Sequence, residues 1–377
     1  MTQRIRLIAL ASVTAVAVLA TGVFVTVRVV ANRIDNAIPQ ADLFGTPTPS
    51  ASTTTIKPTP TPTPTPIPGA DIQGPLNILI LGEDTREDYG TAPHNDTNMI
   101  MHVSADLKTA YLTSLPRDLL VNIPAFAPSG TGASRTKLTH AMTYGSKVPG
   151  GYDTRQGFQL AAQTISNYTG IPHFDAGVLF SFNGMTHFVD AIGGIDMYVD
   201  ERTVSIHHEP GGAGRAGCRS CPHGMTGPQK TYEIGMNHMK GWESLDFARQ
   251  RYGLRGTAYG RERHHRQIVR AVMAQLFKQN LVYNPFEADR ILTAMGRGVI
   301  FDGRGRTPSE YGFALRNLRP ENVTLVGLPG GSAYSNGGYI GENLNGAIKD
   351  SYFAALKADQ LAAWVAANPN LVNTANP

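Results

Sequence analysis

The sequence predicts an α/β protein: one domain built on a mixed sheet with helices on its faces, behind an N-terminal transmembrane helix. Three observations carry that expectation. Short apolar runs bounded by turn residues alternate with helical patterns through one uninterrupted segment, as when strands and helices share a single sheet. At 377 residues and 41% hydrophobic content, the chain can bury one large core or two modest ones. From Leu7 to Val27 there is no charge. As a helix that run would reach roughly 31 Å, about the thickness of a bilayer core.

Residues 1–6 carry Arg4 and Arg6 and are expected on the cytoplasmic side, with the transmembrane helix at 7–30. A cleaved signal peptide is the competing reading; the run is long for one, and no Ala-x-Ala site is followed by an obvious mature start. Residues 31–71 read as an extracytoplasmic linker. Within them "TPTPSASTTTIKPTPTPTPTPIPG" (46–69) alternates proline and threonine. Such a stretch cannot build a core and favours extended polyproline II, a stalk of roughly 70 Å.

The main domain is expected over 72–330. "LNILILG" (76–82) is a buried strand by its apolar run. Strands at 97–104 and 109–115 follow, with Asp106-Leu107-Lys108 turning between them. A helix over 153–170 is opened by Asp153/Thr154 and stopped by Gly170. Then come a strand (175–182), a short helix closed by two glycines (183–194), a strand (195–199), helices at 241–249 and 261–280, and a late strand at 322–328. Residues 331–377 read as a C-terminal helical tail, with the helical pattern over 345–367.

With 33 Lys+Arg against 29 Asp+Glu, the net charge of +4 is too mild for a general polyanion binder, and no nucleic-acid partner is expected. The positive charge is gathered instead. "RQRYGLRGTAYGRERHHRQ", residues 249–267, holds six arginines and two histidines in nineteen positions.

Three groups of residues suggest chemistry. In "LGEDT…HNDT", Asp84 follows one strand and Asp96 precedes the next. If those strands are neighbours, the carboxylates converge and suit Mg²⁺, which binds through one or two carboxylates plus phosphate and water. The plainer reading is two loop aspartates capping turns. In "SLPRDLLVNIP", Arg117 either pairs with Asp118 at the surface or projects from the strand end toward a diphosphate. Lys137 would add a point charge. In the basic stretch, Arg249 and Arg251 aim the same way if extended, while Arg261 and His265 share a helix face, with His264 beside them. A solvated basic helix start is the alternative, but cations disfavour a helix N-terminus unless an anion sits there.

The two cysteines, Cys218 and Cys221, form a C-x-x-C in "GCRSCPHG". On the outer face of a membrane this reads as a local disulfide. Zinc, with His207, His208 and His223 nearby, and free thiols are the other readings.

"NILILGEDT", "NDTNMIMHVS", "LTSLPRDLLVNIP", "KLTHAMTYG", "FVDAIGGIDMYVD", "MNHMKGWESLDFARQR" and "YGRERHHRQ" occur in an order and spacing that resemble the LytR-CpsA-Psr family of envelope proteins. The resemblance spans about 75–285, with weaker likeness to the strand near 327. It implies a membrane-anchored, extracytoplasmic phosphotransferase. Such an enzyme moves a glycopolymer from a polyprenyl diphosphate carrier onto peptidoglycan through a phosphodiester. It also implies Mg²⁺ (or Mn²⁺) on Asp84 and Asp96, and diphosphate binding by Arg117, Lys137, Arg249, Arg251 and Arg261; His265, on the same helix face as Arg261, is expected to join them on the diphosphate. Asp84, Asp96, Arg117, Arg249 and Arg261 would form the catalytic set. An apolar tunnel for the polyprenyl chain is implied too, expected along 154–192.

The sequence also departs from the family pattern Asp-x-x-Arg-x-x-Arg-Gln. Ala258 stands at the aspartate, His264 at the second arginine and His265 at the glutamine. Glu262 or a histidine would then substitute, or Arg266-Gln267 would take the Arg-Gln role one helical turn on. The insertion at 209–224 is unusual and suggests a stapled lid. Two other functions fit the same residues: a polyprenyl-diphosphate pyrophosphatase, and a non-catalytic lipid-diphosphate-binding envelope regulator.

Overall fold

The computed structural model describes residues 31–45, 69–84, 92–278, 291 and 298–373. The expected cytoplasmic residues 1–6 and transmembrane helix 7–30 lie outside them, as does most of the Pro/Thr stretch. Among the described residues no helix is long and apolar enough to cross a membrane.

The central sheet has six strands. In chain order they are β1 (Leu76–Glu83), β2 (Asn95–Val103), β3 (Ala110–Ser114), β4 (Ala176–Ser181), β7 (Val299–Asp302) and β8 (Val323–Val326). Between β4 and β7 the chain forms a separate antiparallel pair, β5 (Ile195–Val199) with β6 (Gly235–Met239). The spatial order in the sheet is β7-β4-β1-β2-β3-β8. β1 to β3 form an antiparallel meander, with Leu76 opposite Val103 and Met99 opposite Ser114. β4 joins β1 and β8 joins β3 in parallel, while β7 is antiparallel to β4, so the sheet is mixed.

Alternation explains the two faces. Leu79 and Leu81 of β1 point into one core with Ile100, Phe158 and Ile165. Leu76 and Ile78 point into the other with Met99, Leu112 and Leu325. The first face is covered by α1 (Thr154–Thr169). Asp153 caps it by accepting a bond from the Arg155 N–H, and Gly170, at φ 71°, ends it. Its inner residues Phe158, Leu160, Ala161 and Ile165 have no exposure at all. A groove of about 420 Å³ opens beside the helix, between Phe44, Phe126, Ala162 and Phe174. A third core joins β5 and β6 to α2 (Phe182–Ala191), α3 (Gly241–Arg249) and α4 (Ala258–Lys278).

Two regions differ from the sequence expectation. Residues 331–377 are not a helical tail alone. A hairpin, β9 (Gly330–Ser335) with β10 (Gly338–Leu344), precedes helices α5 (Gly346–Lys357) and α6 (Leu361–Ala367). Tyr352, Phe353, Leu356 and Leu361 are buried in the same core as Leu79, so this segment is part of the domain. Residues 31–45, assigned to the linker, also dock on it. Leu43 is fully buried, Phe44 packs edge-on against Phe158, and Asp35 accepts from both the N–H and the hydroxyl of Ser309. Apolar side chains at Leu43 and Phe44 give that part of the chain a surface to bury, which the Pro/Thr repeat lacks.

Candidate active site

β1, β3 and β4 end, and β2 begins, at one edge of the sheet, so the segments leaving them converge. Asp84 follows β1, where its N–H donates to the His94 carbonyl at 3.1 Å. Asp96 is the second residue of β2. A register shift between Gly82 and Glu83 turns the end of the strand. Gly82 has to be glycine: a Cβ there would lie 2.5 Å from the Phe180 ring.

Arg117 is held from two sides. Its carbonyl accepts from the Thr139 N–H at 2.9 Å, and the carbonyl of Asp118 accepts from the Glu342 N–H of β10 at 2.8 Å. Helix α3 stops at Arg249, and Gln250 is extended (φ −67°, ψ 135°), which returns Arg251 to the same side. Arg261 and His265, one turn apart on α4, complete the arrangement.

These side chains meet. Asp84, Asp96, Arg117, Arg249, Arg251, Arg261 and His265 line one cleft of about 180 Å³. Phe182, His207 and Ala248 line it too. Lys137 stands behind it, with Nζ 3.5 Å from Asp118 Oδ1 and 4.7 Å from the centre of the Tyr339 ring. The buried carboxylate of Asp118 also faces Arg117 Nε at 3.7 Å and Arg251 Nη1 at 3.9 Å. Sequence reading noted Asp118 only as a neighbour of Arg117; the fold makes it the shared counter-charge of three cations.

Among the described residues, four arginines against two aspartates leave the cleft lining electropositive. Asp96 is paired with Arg117, and Asp84 lies 3.8 Å from Arg249. Donor capacity remains: among the described residues, the Nε–H groups of Arg117 and Arg261 are buried without a hydrogen-bond partner. Buried donors of this kind are costly unless an acceptor arrives. As for a metal, Asp84 and Asp96 offer hard oxygen donors on one cleft and keep partial exposure, 24% and 15%. Among the described residues no third His, Cys, Asp or Glu joins a metal-holding group. A two-carboxylate set suits Mg²⁺, whose other ligands are water and phosphate oxygen.

The departures at α4 have structural answers. Ala258 opens the helix and brings no carboxylate. His264 turns away from the cleft rather than standing beside Arg261. It stacks on Phe247 with centroids 3.9 Å apart, and burial pushes its pKa down to about 3. Arg266 is also turned inward: it donates to Ser114 Oγ and, through Nη2, to Asn373 Oδ1 at 2.8 Å. Gln267 lines a different cavity. Arg266-Gln267 therefore does not replace the missing Arg-Gln pair. Glu262 is buried as well. Burial alone would raise its pKa, but the His265 hydrogen bond and the charges of His265, Arg261 and Arg266 outweigh it and keep the carboxyl ionised.

His207 escaped the sequence reading as a cleft residue. It was visible only as one of several histidines near the cysteines, and no periodicity marks its segment. Cys218 and Cys221 are disulfide-bonded. The residues of the 209–224 insertion are not among those lining the cleft; His223 packs tilted against Tyr252, next to Arg251, with centroids 4.3 Å apart.

A model of the LytR_cpsA_psr family matches residues 46–353. The polyisoprenyl-teichoic acid–peptidoglycan teichoic acid transferase TagU of Enterococcus faecalis is 27% identical over 263 residues, 67% of this chain and 71% of that protein. The protein of the same name from Halalkalibacterium halodurans is 29% identical over 260 residues, 68% of this chain and 71% of its own. Among solved structures, protein gbs0355 from Streptococcus agalactiae superposes with a TM-score of 0.58 at 19% identity, covering 76% of this chain and 87% of that one. That likeness is one of fold.

Proposed function

We propose that this chain, which belongs to the LytR_cpsA_psr family, is an extracytoplasmic phosphotransferase. It moves a glycopolymer from a polyprenyl diphosphate carrier onto peptidoglycan, leaving a phosphodiester link. The observation that carries the reading is the pair of buried Nε–H donors on Arg117 and Arg261 that no hydrogen bond satisfies among the described residues, in a cleft whose described arginines outnumber its described acids. A diphosphate supplies the acceptors those donors lack, and a guanidinium binds phosphate in a bidentate fork. The TagU relatives, named for the same class of transfer, support it.

In this reading Arg117, Arg249, Arg251 and Arg261 hold the diphosphate and spread its charge. Lys137 and Asp118 set their spacing from behind. Asp84 and Asp96 would hold Mg²⁺, which when bound adds Lewis-acid stabilisation of phosphoryl charge. A peptidoglycan hydroxyl attacks the glycan-side phosphorus, and polyprenyl phosphate leaves. Catalysis rests on positioning and fixed charge. The run at 7–30 would anchor the chain in the membrane, with the Pro/Thr stalk holding the domain off its outer face.

The test is mass spectrometry of lipid extracted from the purified full chain, wild type beside Arg117→Ala. Polyprenyl phosphate or diphosphate should accompany the wild type and be absent from the variant. A wild type that carries no such lipid, and takes up none when it is added, would rule the reading out. Phosphate release without acceptor would point to the pyrophosphatase; tight binding without turnover, to the regulator.

A further inference from the structure

Attack by a sugar hydroxyl needs somewhere for its proton to go, and Ala258 brings no carboxylate where the family pattern has an aspartate. Among the described residues, the protonatable carboxylates and imidazoles lining the cleft are Asp84, Asp96, His207 and His265. Both aspartates face arginines and are the pair suited to a cation. His265 has both ring nitrogens engaged: Nε2 with the Ala248 carbonyl at 3.0 Å, Nδ1 with Thr97 Oγ1 at 3.3 Å and Glu262 Oε2 at 3.7 Å.

His207 is different. Its Nδ1 faces Asp246 Oδ1 at 3.5 Å and the Gln250 amide at 3.2 Å. Nε2 has no protein partner among the described residues, and the side chain keeps 26% exposure. Its backbone is fixed on both sides: the N–H donates to Ser205 Oγ at 3.0 Å, and the carbonyl accepts from the Arg215 N–H at 2.8 Å.

Asp246 is built as a support. It is fully buried, on α3, and accepts from Gln250 Nε2 at 2.7 Å, Tyr232 Oη at 2.8 Å and Ser205 Oγ at 2.9 Å, with His208 Nδ1 at 3.0 Å. Burial alone would raise its pKa, but the bonds from His207, His208, Tyr232 and Ser205 outweigh it and keep it a carboxylate. Ile206 N–H donates to Gln250 Oε1, and Gln250 Nε2 spends its two hydrogens on the Asp246 carbonyl at 2.8 Å and Oδ1 at 2.7 Å, which leaves Nδ1 to carry its own proton toward the carboxylate and a lone pair on Nε2.

We propose that His207 is the general base of the transfer, with Asp246 as its positioning residue. The assignment rests on the transferase reading above. Nε2 takes the proton of the attacking hydroxyl as the new O–P bond forms and the bond to the polyprenyl phosphate oxygen breaks. The imidazolium that results lies against the Asp246 carboxylate, and the proton later passes to water or the leaving phosphate. The base thus enters from the segment that precedes the insertion, not from the start of α4.

The experiment uses the full chain in detergent, with a short-chain polyprenyl diphosphate bearing one N-acetylhexosamine as donor and a soluble peptidoglycan oligosaccharide as acceptor. His207→Ala is expected to lower kcat by roughly 100-fold or more while leaving KM for the donor within about twofold. Added imidazole should restore about a tenth of the lost rate or better, since a free ring can occupy the vacated space. His207 is partly exposed, so the variant should fold; donor binding and the circular dichroism spectrum confirm that it has. A kcat within about threefold of wild type overturns the proposal. So does a loss that imidazole does not restore, because the ring would then be packing and not proton transfer. A folded wild type that binds donor and transfers nothing sinks the transferase reading itself, a result distinct from either of these.

Discussion

Asp118 and Asp246 both stand behind the cleft, one backing its arginines and the other its histidine, and they are built in opposite ways. Asp118 faces three cationic nitrogens at 3.5–3.9 Å, carried by side chains that are 24–43% exposed. Asp246 is sealed off and accepts short bonds, 2.7–2.9 Å, from an amide, a phenol and a hydroxyl, with the His208 imidazole at 3.0 Å and that of His207 in the cleft at 3.5 Å. Long, partly solvated ion pairs are weak and leave the cations available to another anion. Short bonds to a buried carboxylate fix it and whatever leans on it. The first arrangement keeps a binding surface charged and adjustable; the second fixes Ser205, Gln250 and His208 and so builds a rigid wall beside the His207 ring.

The sharpest way to break the contrast is Asp246→Ala. Several buried donors would lose their acceptor together, and the variant should lose about 3–5 kcal/mol of stability, read from the urea midpoint. A loss below about 1 kcal/mol would mean that water or neighbouring groups replace the carboxylate, and that Asp246 is no more rigid a support than Asp118.

An intermediate effect comes from acid. His264 is buried in its neutral form, with a folded pKa of about 3 against 6.5 in the unfolded chain. Between those values the unfolded chain binds the extra proton, so stability falls as the pH falls, by on the order of 1 kcal/mol per pH unit. Glu262, whose folded pKa is depressed below 4.5, acts in the same direction: its contribution is present above that value and is lost on further acidification. His264→Phe, which keeps a ring against Phe247, should flatten the slope between pH 6 and about 4 in chemical denaturation. An unchanged slope would assign the acid lability elsewhere.

The smallest effect belongs to Asp118→Asn. Stability should change by less than about 1 kcal/mol. Removing the shared counter-charge should tighten binding of inorganic pyrophosphate at low salt by about fivefold, with the gain shrinking as salt is added. Weaker pyrophosphate binding in a folded variant would show that Asp118 orients the arginines rather than merely balancing them.

The parts of the fold that were legible in the sequence are those whose partners are local or whose pattern is strong. β1 announces itself as a continuous apolar run, and α1 by Asp153 at one end and Gly170 at the other. β7 and the β9–β10 hairpin did not show. β7 is four residues long and is a strand because β4 offers an edge. The hairpin is glycine-rich and largely exposed, and its role depends on Tyr339 and Glu342 meeting Asp118 across more than two hundred residues. In the site, the arginines could be picked out because so much like charge in nineteen positions needs a cause. Asp246 could not: within "GWESLDFAR" it resembles an ordinary helical surface residue until Ser205, Tyr232 and Gln250 close around it.

Helix α4 shows where the division lies. Its sequence alone determined the inventory: a run of cations and imidazoles too dense to be without an anion, in a segment able to form a helix. Which of them serves the cleft was decided only by how that helix is rotated against its neighbours. Successive helical residues point about 100° apart. Arg261 and His265 therefore reach the cleft, while Arg263 pairs with Asp200 and Glu201, His264 stacks on Phe247, and Arg266 turns to Ser114 and Asn373. The rotation is set by burial of Ile268 and Ala271 in the core shared with β5 and α3.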